Sequence, residues 1–132
     1  MVAFSPKQAA METREELAIA VVTTTVASLA DAQVLARAIL EARLAACVQL
    51  EPGLQSFYRW EGRTCEDPEV RLVIKTTPQA VPALQAFFAA RHPYQLPQFA
   101  VAAMQASPAY AQWVRGEVAA TPGSAVSPDP PR

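Results

Sequence analysis

The chain has 132 residues, 52% of them apolar, which is enough for one domain with a core that needs no disulfide or metal. Eleven basic and twelve acidic side chains leave a formal charge of −1, so we expect no concentrated basic surface for nucleic acid. No apolar run reaches the roughly 20 residues of a spanning helix, and residues 1–14 lack the apolar core of a secretory signal, so we expect a cytoplasmic protein without membrane contact.

The two ends differ in composition from the middle of the chain. Residues 121–132 (TPGSAVSPDPPR) are rich in Pro, Ser and Gly and carry too little apolar surface to pack into a core. We therefore predict a flexible N-terminal tail at residues 1–15, one folded domain at residues 16–119, and a disordered Pro-rich tail at residues 120–132.

A strand and then a helix open the predicted domain. Residues 17–23 form a short apolar run with β-branched side chains, which is typical of a strand buried on both faces. Ser28 followed by Asp31 resembles a capping box. Leu35 and Ile39 then fall on one stripe, which predicts an amphipathic helix.

A long hairpin is predicted next. Residues 47–50 begin a strand that Pro52-Gly53 interrupts, and the missing N–H donor with the permissive glycine predicts a bulge. Residues 55–60 alternate and are rich in aromatic side chains, and Glu61-Gly62 supplies a tight turn. The returning strand includes residues 70–75, whose alternation between apolar and basic side chains is clear.

A second long helix follows the hairpin. Thr77 before Pro78 is the expected pair of N-cap and first-turn residues, and Leu84 and Phe88 recur at helical spacing until His92-Pro93 ends the run.

The last two predicted elements are short. Residues 98–104 are apolar and predict a fourth strand. Ser107-Pro108 opens a final helix that places Tyr110, Trp113 and Val114 on one side.

The resulting order of elements is β-α-β-β-α-β followed by a short C-terminal helix. This is the split βαβ pattern of the ferredoxin-like α+β fold, in which both long helices cover one face of an antiparallel sheet. The other face would stay open, although Val21, Val73 and Val101 are apolar where water would favour polar groups. We therefore expect a partner chain on that face.

The hairpin is a second candidate interface. It is long for a domain of this size and carries Phe57, Tyr58 and Trp60, residue types that anchor protein interfaces. Trp113 of the last helix is a further core or interface anchor. Together with the open sheet face, these residues predict an obligate oligomer.

The two cysteines, Cys47 and Cys65, are far apart and form no CxxC motif. Small secreted domains that depend on disulfides usually carry more cysteines. Cys47 lies in the apolar run 44–48, which predicts a buried free thiol, whereas polar neighbours predict a more exposed Cys65. A disulfide between them is the alternative, and the sequence leaves their redox state open.

Several short motifs occur in a fixed order across the predicted domain. They are residues 41–48 (EARLAACV), 52–53 (PG), 56–62 (SFYRWEG), 74–76 (IKT), 92–97 (HPYQLP), and Tyr110 with Trp113. In this combination and order they resemble the CutA family of divalent-ion-tolerance proteins.

The resemblance implies a homotrimer of ferredoxin-like subunits, related in architecture to the PII signalling proteins, with clefts between neighbouring chains. Members have been linked to tolerance of copper and other divalent ions, and no reaction comes with the family. The implied function is a binding or signalling module that responds to metal ions, Cu or Zn, or to a small ligand at the clefts. A PII-like sensor of a small anionic ligand, without physiological metal, is the alternative.

The chain departs from the family pattern at a few positions. Thr24 and Arg91 stand where some members have a cysteine and a second histidine. Val26-Ala27 replaces a common proline, and Gln98 stands where a glutamate is common. Without the thiolate, we expect weak Cu(I) binding or none.

His92, the single histidine, is the candidate metal ligand, at a subunit cleft with Tyr94. Its alternative role is structural, because an imidazole interacts favourably with free carbonyl groups at a helix C-terminus. Spacing alone favours that alternative, since a zinc site needs three or four ligands. Three copies could meet only near a trimer axis.

Two further candidate ligand residues are Lys75 and Glu61. Lys75 could neutralise an anion in the cleft, or it could be a surface cation or pair with Glu69 or Asp67, an ion pair that contributes little when exposed. Glu61 could line a pocket with Tyr58 and Trp60, although aromatic residues on a hairpin more often pack in interfaces.

The sequence lacks the motifs of two other functions that this fold supports, a hydrolase and an RNA-binding domain. Residues 23–28 offer hydroxyl groups but no glycine, arginine or base, and no Ser/His/Asp or Cys/His set is evident, which disfavours a hydrolase. Residues 17–23 and 70–76 hold no aromatic side chain on which an RNA-binding domain would stack bases. We therefore predict no enzymatic activity and no nucleic-acid partner.

Overall fold

The computed structural model describes residues 14–119, so residues 1–13 of the predicted N-terminal tail (1–15) and the whole predicted tail at residues 120–132 lie outside the described residues. The elements are α1 (Arg14–Leu17), β1 (Ala18–Val26), α2 (Leu29–Glu41), β2 (Cys47–Trp60), β3 (Arg63–Thr76), a 3-10 turn (Pro78–Ala80), α3 (Val81–Arg91), β4 (Ala100–Gln105) and α4 (Pro108–Glu117). The predicted order is confirmed. Residues 23–26, predicted as part of a loop, instead continue β1.

The four strands form one antiparallel sheet in the order β2-β3-β1-β4. β1 lies between β3 and β4, with Val22 opposite Ile74 on one side and Val101 on the other. This order confirms the ferredoxin-like α+β fold. In the part of the chain that is described, none of the helices has the length and apolar character needed to cross a membrane.

Hydroxyl side chains cap the helices where the sequence predicted them. Ser28 Oγ accepts the backbone N–H of Asp31 at 3.1 Å, and Ser107 Oγ accepts that of Tyr110 at 3.3 Å. Thr77 caps the 3-10 turn that leads into α3. Each contact satisfies one of the backbone donors that a helix start leaves free.

The main core lies between the sheet and helices α2 and α3. Strand residues such as Val22 and Leu72 are fully buried there, and so are Ile39 of α2 and Leu84 of α3. Phe88 packs edge-to-face on Phe99 with ring centroids 5.1 Å apart. Burial of this apolar surface is the main driving force for folding.

The opposite face of the sheet is partly covered by the chain's own last helix, which corrects the predicted open face. Val21 is only 9% exposed, because Ala111 and Val114 of α4 pack with it in a second apolar cluster. Val101 was placed on the wrong face: as the cross-strand partner of Val22 it faces the long helices, and it is 50% exposed.

Arg43 fixes the end of α4 from the loop after α2. Its guanidinium donates to the carbonyl groups of Gly116 and Glu117, both at 3.3 Å, and its own carbonyl accepts from Ala119 N at 2.8 Å. Arg43 has φ = 57°, which is unfavourable for a residue with a Cβ atom. These three hydrogen bonds offset part of that cost.

The hairpin has the predicted bulge and turn. The register between β2 and β3 shifts between Glu51 and Leu54, where Gly53 has φ = 83°. Trp60 pairs with Arg63 across a two-residue turn. Both turn residues have positive φ, as a tight hairpin of this twist requires.

The hairpin register also decides the cysteine question. Cys47 on β2 lies opposite Lys75 on β3. Cys65 is itself on β3, opposite Tyr58 and ten positions before Lys75. Ten residues of strand span about 33 Å, whereas a disulfide needs Cα atoms within about 7 Å. The disulfide alternative is therefore wrong within one chain, and both half-buried thiols are free. Cys65 is not the clearly more exposed thiol that its neighbours predicted.

Candidate functional site

A groove of about 870 Å³ opens between the outer half of the hairpin and the segment that links α3 to β4. Aromatic side chains of the hairpin line one side, residues 93–98 line the other, and Thr25 and Glu69 also contribute. Cross-strand partners share a face of the sheet, so Tyr58 and Trp60 lie on the same face as Asp67.

His92 anchors the linking segment at the end of α3. Its backbone N–H donates to Phe88 O at 2.9 Å, and its ring Nε2 lies 2.9 Å from Oγ1 of the fully buried Thr24. Its Nδ1 accepts the backbone N–H of Tyr94 at 3.1 Å. Nδ1 is therefore an acceptor, and in the neutral ring the proton is on Nε2.

The environment of His92 keeps its ring neutral. Burial lowers the pKa of the imidazole below its ordinary value, and contacts to the Thr25 backbone and to the charge of Glu69 oppose this only in part. Both ring nitrogens are engaged by the chain itself, so neither presents a free lone pair to a metal ion. These contacts hold His92 at the end of α3.

Two tyrosines of the groove each donate to a carboxylate. Tyr94 Oη donates to Glu69 Oε2 at 2.7 Å, and Tyr58 Oη donates to Asp67 Oδ2. The hydrogen bond to Asp67 is the main cause that raises the pKa of Tyr58 to about 12. Burial, followed by the hydrogen bond to Glu69, raises the pKa of Tyr94. Both phenols therefore stay protonated and neutral at physiological pH.

The surroundings of the groove add an ion pair and an amide. Arg71, the partner of Thr25 across the sheet, donates to Glu51 at 2.7 Å. Gln98 Nε2 donates to Thr23 Oγ1 at 3.2 Å and so holds the linking segment against β1. Because the Arg71 charge is paired with Glu51, the carboxylates beside the tyrosines determine the charge of the groove.

The structure brings only two of the four predicted ligand residues together. His92 and Tyr94 have ring centroids 5.3 Å apart. Lys75 lies six residues beyond Glu69 on β3, about 20 Å away, with its ammonium 5.9 Å from the ring centroid of Tyr110. Glu61 is in the exposed hairpin turn.

The predicted interface residues have large exposed fractions. Phe57 is 65% exposed and Trp60 37%, both on the hairpin. Trp113 lies on α4 beside Tyr110 and is 45% exposed. These side chains are available to a partner, as an interface requires.

Sequence reasoning considered Glu69 and Asp67 only as ion-pair partners of Lys75, which the distance along β3 rules out, and missed Glu69 as a groove residue and Asp67 as the acceptor of Tyr58. The hairpin turn at residues 61–62 fixes a register in which residues 63, 65, 67 and 69 share one face with residues 56, 58 and 60, and this signal identifies Asp67. No comparable sequence pattern indicates the path of residues 92–98, which places Tyr94 beside Glu69. Among residues 14–119, no group of three or more His, Cys, Asp or Glu side chains is arranged to hold a metal ion.

Comparisons with known proteins agree with the motifs of the chain. Residues 20–117 match the family described as CutA1 divalent ion tolerance protein. The divalent-cation tolerance protein CutA of Thermus thermophilus is 44% identical over 96 residues, which cover 72% of this chain and 93% of that protein. Human protein CutA is 46% identical over 85 residues, covering 64% of this chain and 48% of that protein. The chain thus spans about half of the human relative.

Solved structures extend the similarity to the fold. The divalent cation tolerance protein of T. thermophilus aligns with a TM-score of 0.74 at 40% identity, covering 76% of this chain and 99% of that chain. CutA1 of Oryza sativa aligns with a TM-score of 0.75 at 31% identity, covering 80% and 97%. The family match over residues 20–117 contains all four strands except the first two residues of β1, together with both long helices and the groove, so the chain belongs to the CutA1 divalent ion tolerance protein family.

Proposed function

We propose that this protein is a homotrimeric divalent-ion-tolerance protein that acts as a binding and signalling module and not as an enzyme. The observation that carries the proposal is the unprotected edge strand β4. All six of its residues are exposed, none is charged, and Val101 and Met104 are 50% and 51% exposed. Natural proteins rarely leave such an edge in water, because it pairs with other strands.

The arrangement of the sheet edges supports a closed ring. β2 forms the opposite edge, so the two free edges have different sequences and lengths. Contact between β4 of one chain and the hairpin of the next would be heterologous, and heterologous contacts produce rings when the rotation closes. The family resemblance favours a ring of three. The exposed aromatic side chains of the hairpin would anchor each contact.

The proposal of a non-enzymatic role rests on the Thr24–His92 pair. A hydroxyl 2.9 Å from an imidazole is the geometry of an activated nucleophile. Here Nε2 carries the proton, so it cannot remove one from the hydroxyl, and Thr24 is fully buried. This pair therefore orients the linking segment and offers no attack on a substrate.

For metals, we propose that Cu or Zn binds this chain only weakly. Thr24 occupies the position at which the family resemblance implies a cysteine in some members, and it contacts the one histidine. A hydroxyl is a poor ligand for soft ions compared with a thiolate. The groove, at the proposed boundary between subunits, is then the better candidate for a small ligand.

Light scattering of the full chain tests the assembly. We expect a mass three times the 14.2 kDa of the chain. Trp60→Ala should weaken the trimer, because aromatic anchors dominate interface energies. The control is Leu40→Ala, since the Leu40 side chain is 43% exposed on α2, outside the hairpin, and this variant should leave the trimer unchanged. A folded monomer of the unaltered chain would contradict the proposal.

Isothermal titration with Cu(I), Cu(II) and Zn(II) tests the metal statement. We expect weak binding that His92→Ala reduces little, and we expect Thr24→Cys to gain Cu(I) affinity because it introduces a thiolate beside the imidazole. A tight stoichiometric site in the unaltered chain that His92→Ala abolishes would overturn it.

A further inference from the structure

The groove has walls and charge that fit one ligand class, which the proposed function leaves open. We propose that it binds a small organic cation, an ammonium group with a short apolar substituent, beside the carboxylate of Glu69 and the rings of Tyr58 and Tyr94. The carboxylate of Asp67, which accepts from the Tyr58 hydroxyl, adds negative charge from outside the lining. The inference deepens the binding role proposed above, and the effect of binding on signalling rests on that proposed function. The site itself does not depend on assembly, because one chain supplies all four residues.

Negative charge is concentrated at this part of the groove. Each carboxylate accepts one hydrogen bond from a tyrosine, which leaves further acceptor sites for an ammonium group. The two phenols remain neutral, because their hydrogen bonds and burial raise the pKa of each. Glu69 lines the groove, and Asp67 lies two residues away on the same face of β3, about 7 Å along the strand, so its charge adds to that of Glu69.

Basic groups near the carboxylates do not cancel this charge. On the same face of β3, Arg71 is paired with Glu51 at 2.7 Å. Arg63 lies at the hairpin turn, four residues or about 13 Å from Asp67 along the strand. His92 adds no positive charge at neutral pH, because burial lowers its pKa.

The aromatic walls suit the remainder of such a ligand. In a single chain Tyr58 and Trp60 are 41% and 37% exposed and line the groove, so the surface of these rings that a neighbouring subunit leaves uncovered faces the ligand. The face of an aromatic ring attracts a cation within about 6 Å, and the attraction grows when the site excludes water. Carboxylates together with aromatic faces therefore select an organic cation over a neutral molecule of the same shape.

The same groups disfavour the other ligand classes. An anion would be repelled by the two carboxylates, so the groove does not suit the small anionic ligand of the alternative function. A metal ion needs at least three strong ligands in a protein site, and residues 14–119 do not gather them. An organic cation needs only nearby negative charge and aromatic faces.

Isothermal titration of the full chain with four small probes tests the inference. Choline and n-butylammonium carry the charge, 3,3-dimethylbutan-1-ol has the shape of choline without it, and 3,3-dimethylbutanoate carries the opposite charge. We expect one bound cation per chain, at least about tenfold weaker binding of the alcohol, and no binding of the carboxylate.

Variants with matched charge locate the site. Glu69→Gln should lower the cation association constant about tenfold, because it removes one carboxylate but keeps an acceptor for Tyr94. Glu41→Gln removes the same charge from an exposed position on α2 and should alter the cation association constant by less than about twofold. Tyr58→Leu should weaken binding several-fold while Tyr58→Phe preserves it, because only the first removes the ring.

The outcomes separate this inference from the proposed function. No cation binding, equal binding of the alcohol, or equal effects of Glu69→Gln and Glu41→Gln would overturn the inference even if the chain is a trimer. Cation binding by a monomeric chain would support the inference and contradict the proposed assembly. A capped lysine peptide separates the sources: if it binds as n-butylammonium does, the ligand group can belong to a protein, and if only choline and n-butylammonium bind, it belongs to a small molecule.

Discussion

The Nδ1 atom of His92 accepts the backbone N–H of Tyr94 at 3.1 Å, and Tyr94 in turn donates to Glu69 at 2.7 Å. This chain of contacts links the end of α3 to the groove. It works only while the imidazole is neutral, because a protonated Nδ1 cannot accept a hydrogen bond. The protonation of one side chain therefore controls how firmly the tyrosine is held.

Acidification should destabilise the protein through His92. The folded state holds its pKa below the ordinary value of 6.5, so the unfolded state binds a proton first and the free energy of unfolding falls as the pH drops below about 6.5. We expect a loss smaller than the about 1.4 kcal/mol of one full pKa unit, because the ring is only half-buried. Urea titrations at pH 7.5 and 5.5 measure this difference.

The variant His92→Asn is the control for the pH effect, since its amide oxygen can replace Nδ1 as acceptor and does not titrate. It should remove the pH dependence between 7.5 and 5.5. NMR titration of the single histidine resonance should give a midpoint below 6.5. A midpoint above that value would refute the explanation.

Truncation of Phe88 in the main core should be strongly destabilising. The ring is 2% exposed and packs against Phe99 and the His92 ring. Phe88→Ala would remove these contacts and leave a cavity, so we expect a loss of about 3–5 kcal/mol in urea unfolding. Val34→Ala, at a site 65% exposed on α2, should change stability by less than about 0.5 kcal/mol.

Substitutions at Arg43 should separate its side-chain contacts from its backbone strain. Arg43→Ala removes the hydrogen bonds to the end of α4 and keeps the positive φ, so we expect a loss of about 1 kcal/mol in thermal or urea unfolding. Arg43→Gly removes the same bonds but relieves the strain, so its loss should be smaller. A larger loss for the glycine variant would contradict this explanation.

The hairpin turn should tolerate, and even gain from, a change at Glu61. Glu61 and Gly62 have φ values of 51° and 77°, and Asn-Gly is the preferred pair for such a turn. Glu61→Asn should therefore raise stability by about 0.5 kcal/mol, whereas Gly62→Ala should lower it by about 1 kcal/mol. Differential scanning calorimetry of both variants provides the comparison, and a destabilised Glu61→Asn would show that the glutamate makes contacts beyond the turn.

Both thiols should remain free in the folded chain. Cys47 and Cys65 lie near opposite ends of the hairpin, so oxidation cannot join them within one subunit. Titration with a thiol reagent after denaturation should give two thiols per chain, and mobility on a non-reducing gel should match that of the reduced chain. A compact oxidised monomer would contradict the strand register.

Local signals in the sequence predicted most of the fold. Ser28, Thr77 and Ser107 mark helix starts by their side-chain chemistry, and Pro52-Gly53 marks the bulge. These features depend on neighbours a few residues away, so they can be recognised without knowledge of the tertiary structure.

Long-range placement could not be predicted in the same way. β4 is apolar at five consecutive positions, so no alternation showed that Val101 faces the long helices and not α4. The contact of Tyr94 with Glu69 joins residues 25 positions apart, through a segment whose path around the sheet has no repeating pattern. The groove is therefore a product of tertiary structure.

The position of α4 bears on whether the chain folds before it associates with other copies. A subunit that shields Ile19 and Val21 with its own C-terminal helix has no need of a neighbour to complete its interior. We therefore expect each chain to fold before the proposed trimer assembles, in contrast to the obligate oligomer that the sequence predicted. Dilution should then dissociate the proposed trimer at concentrations at which the subunits stay folded.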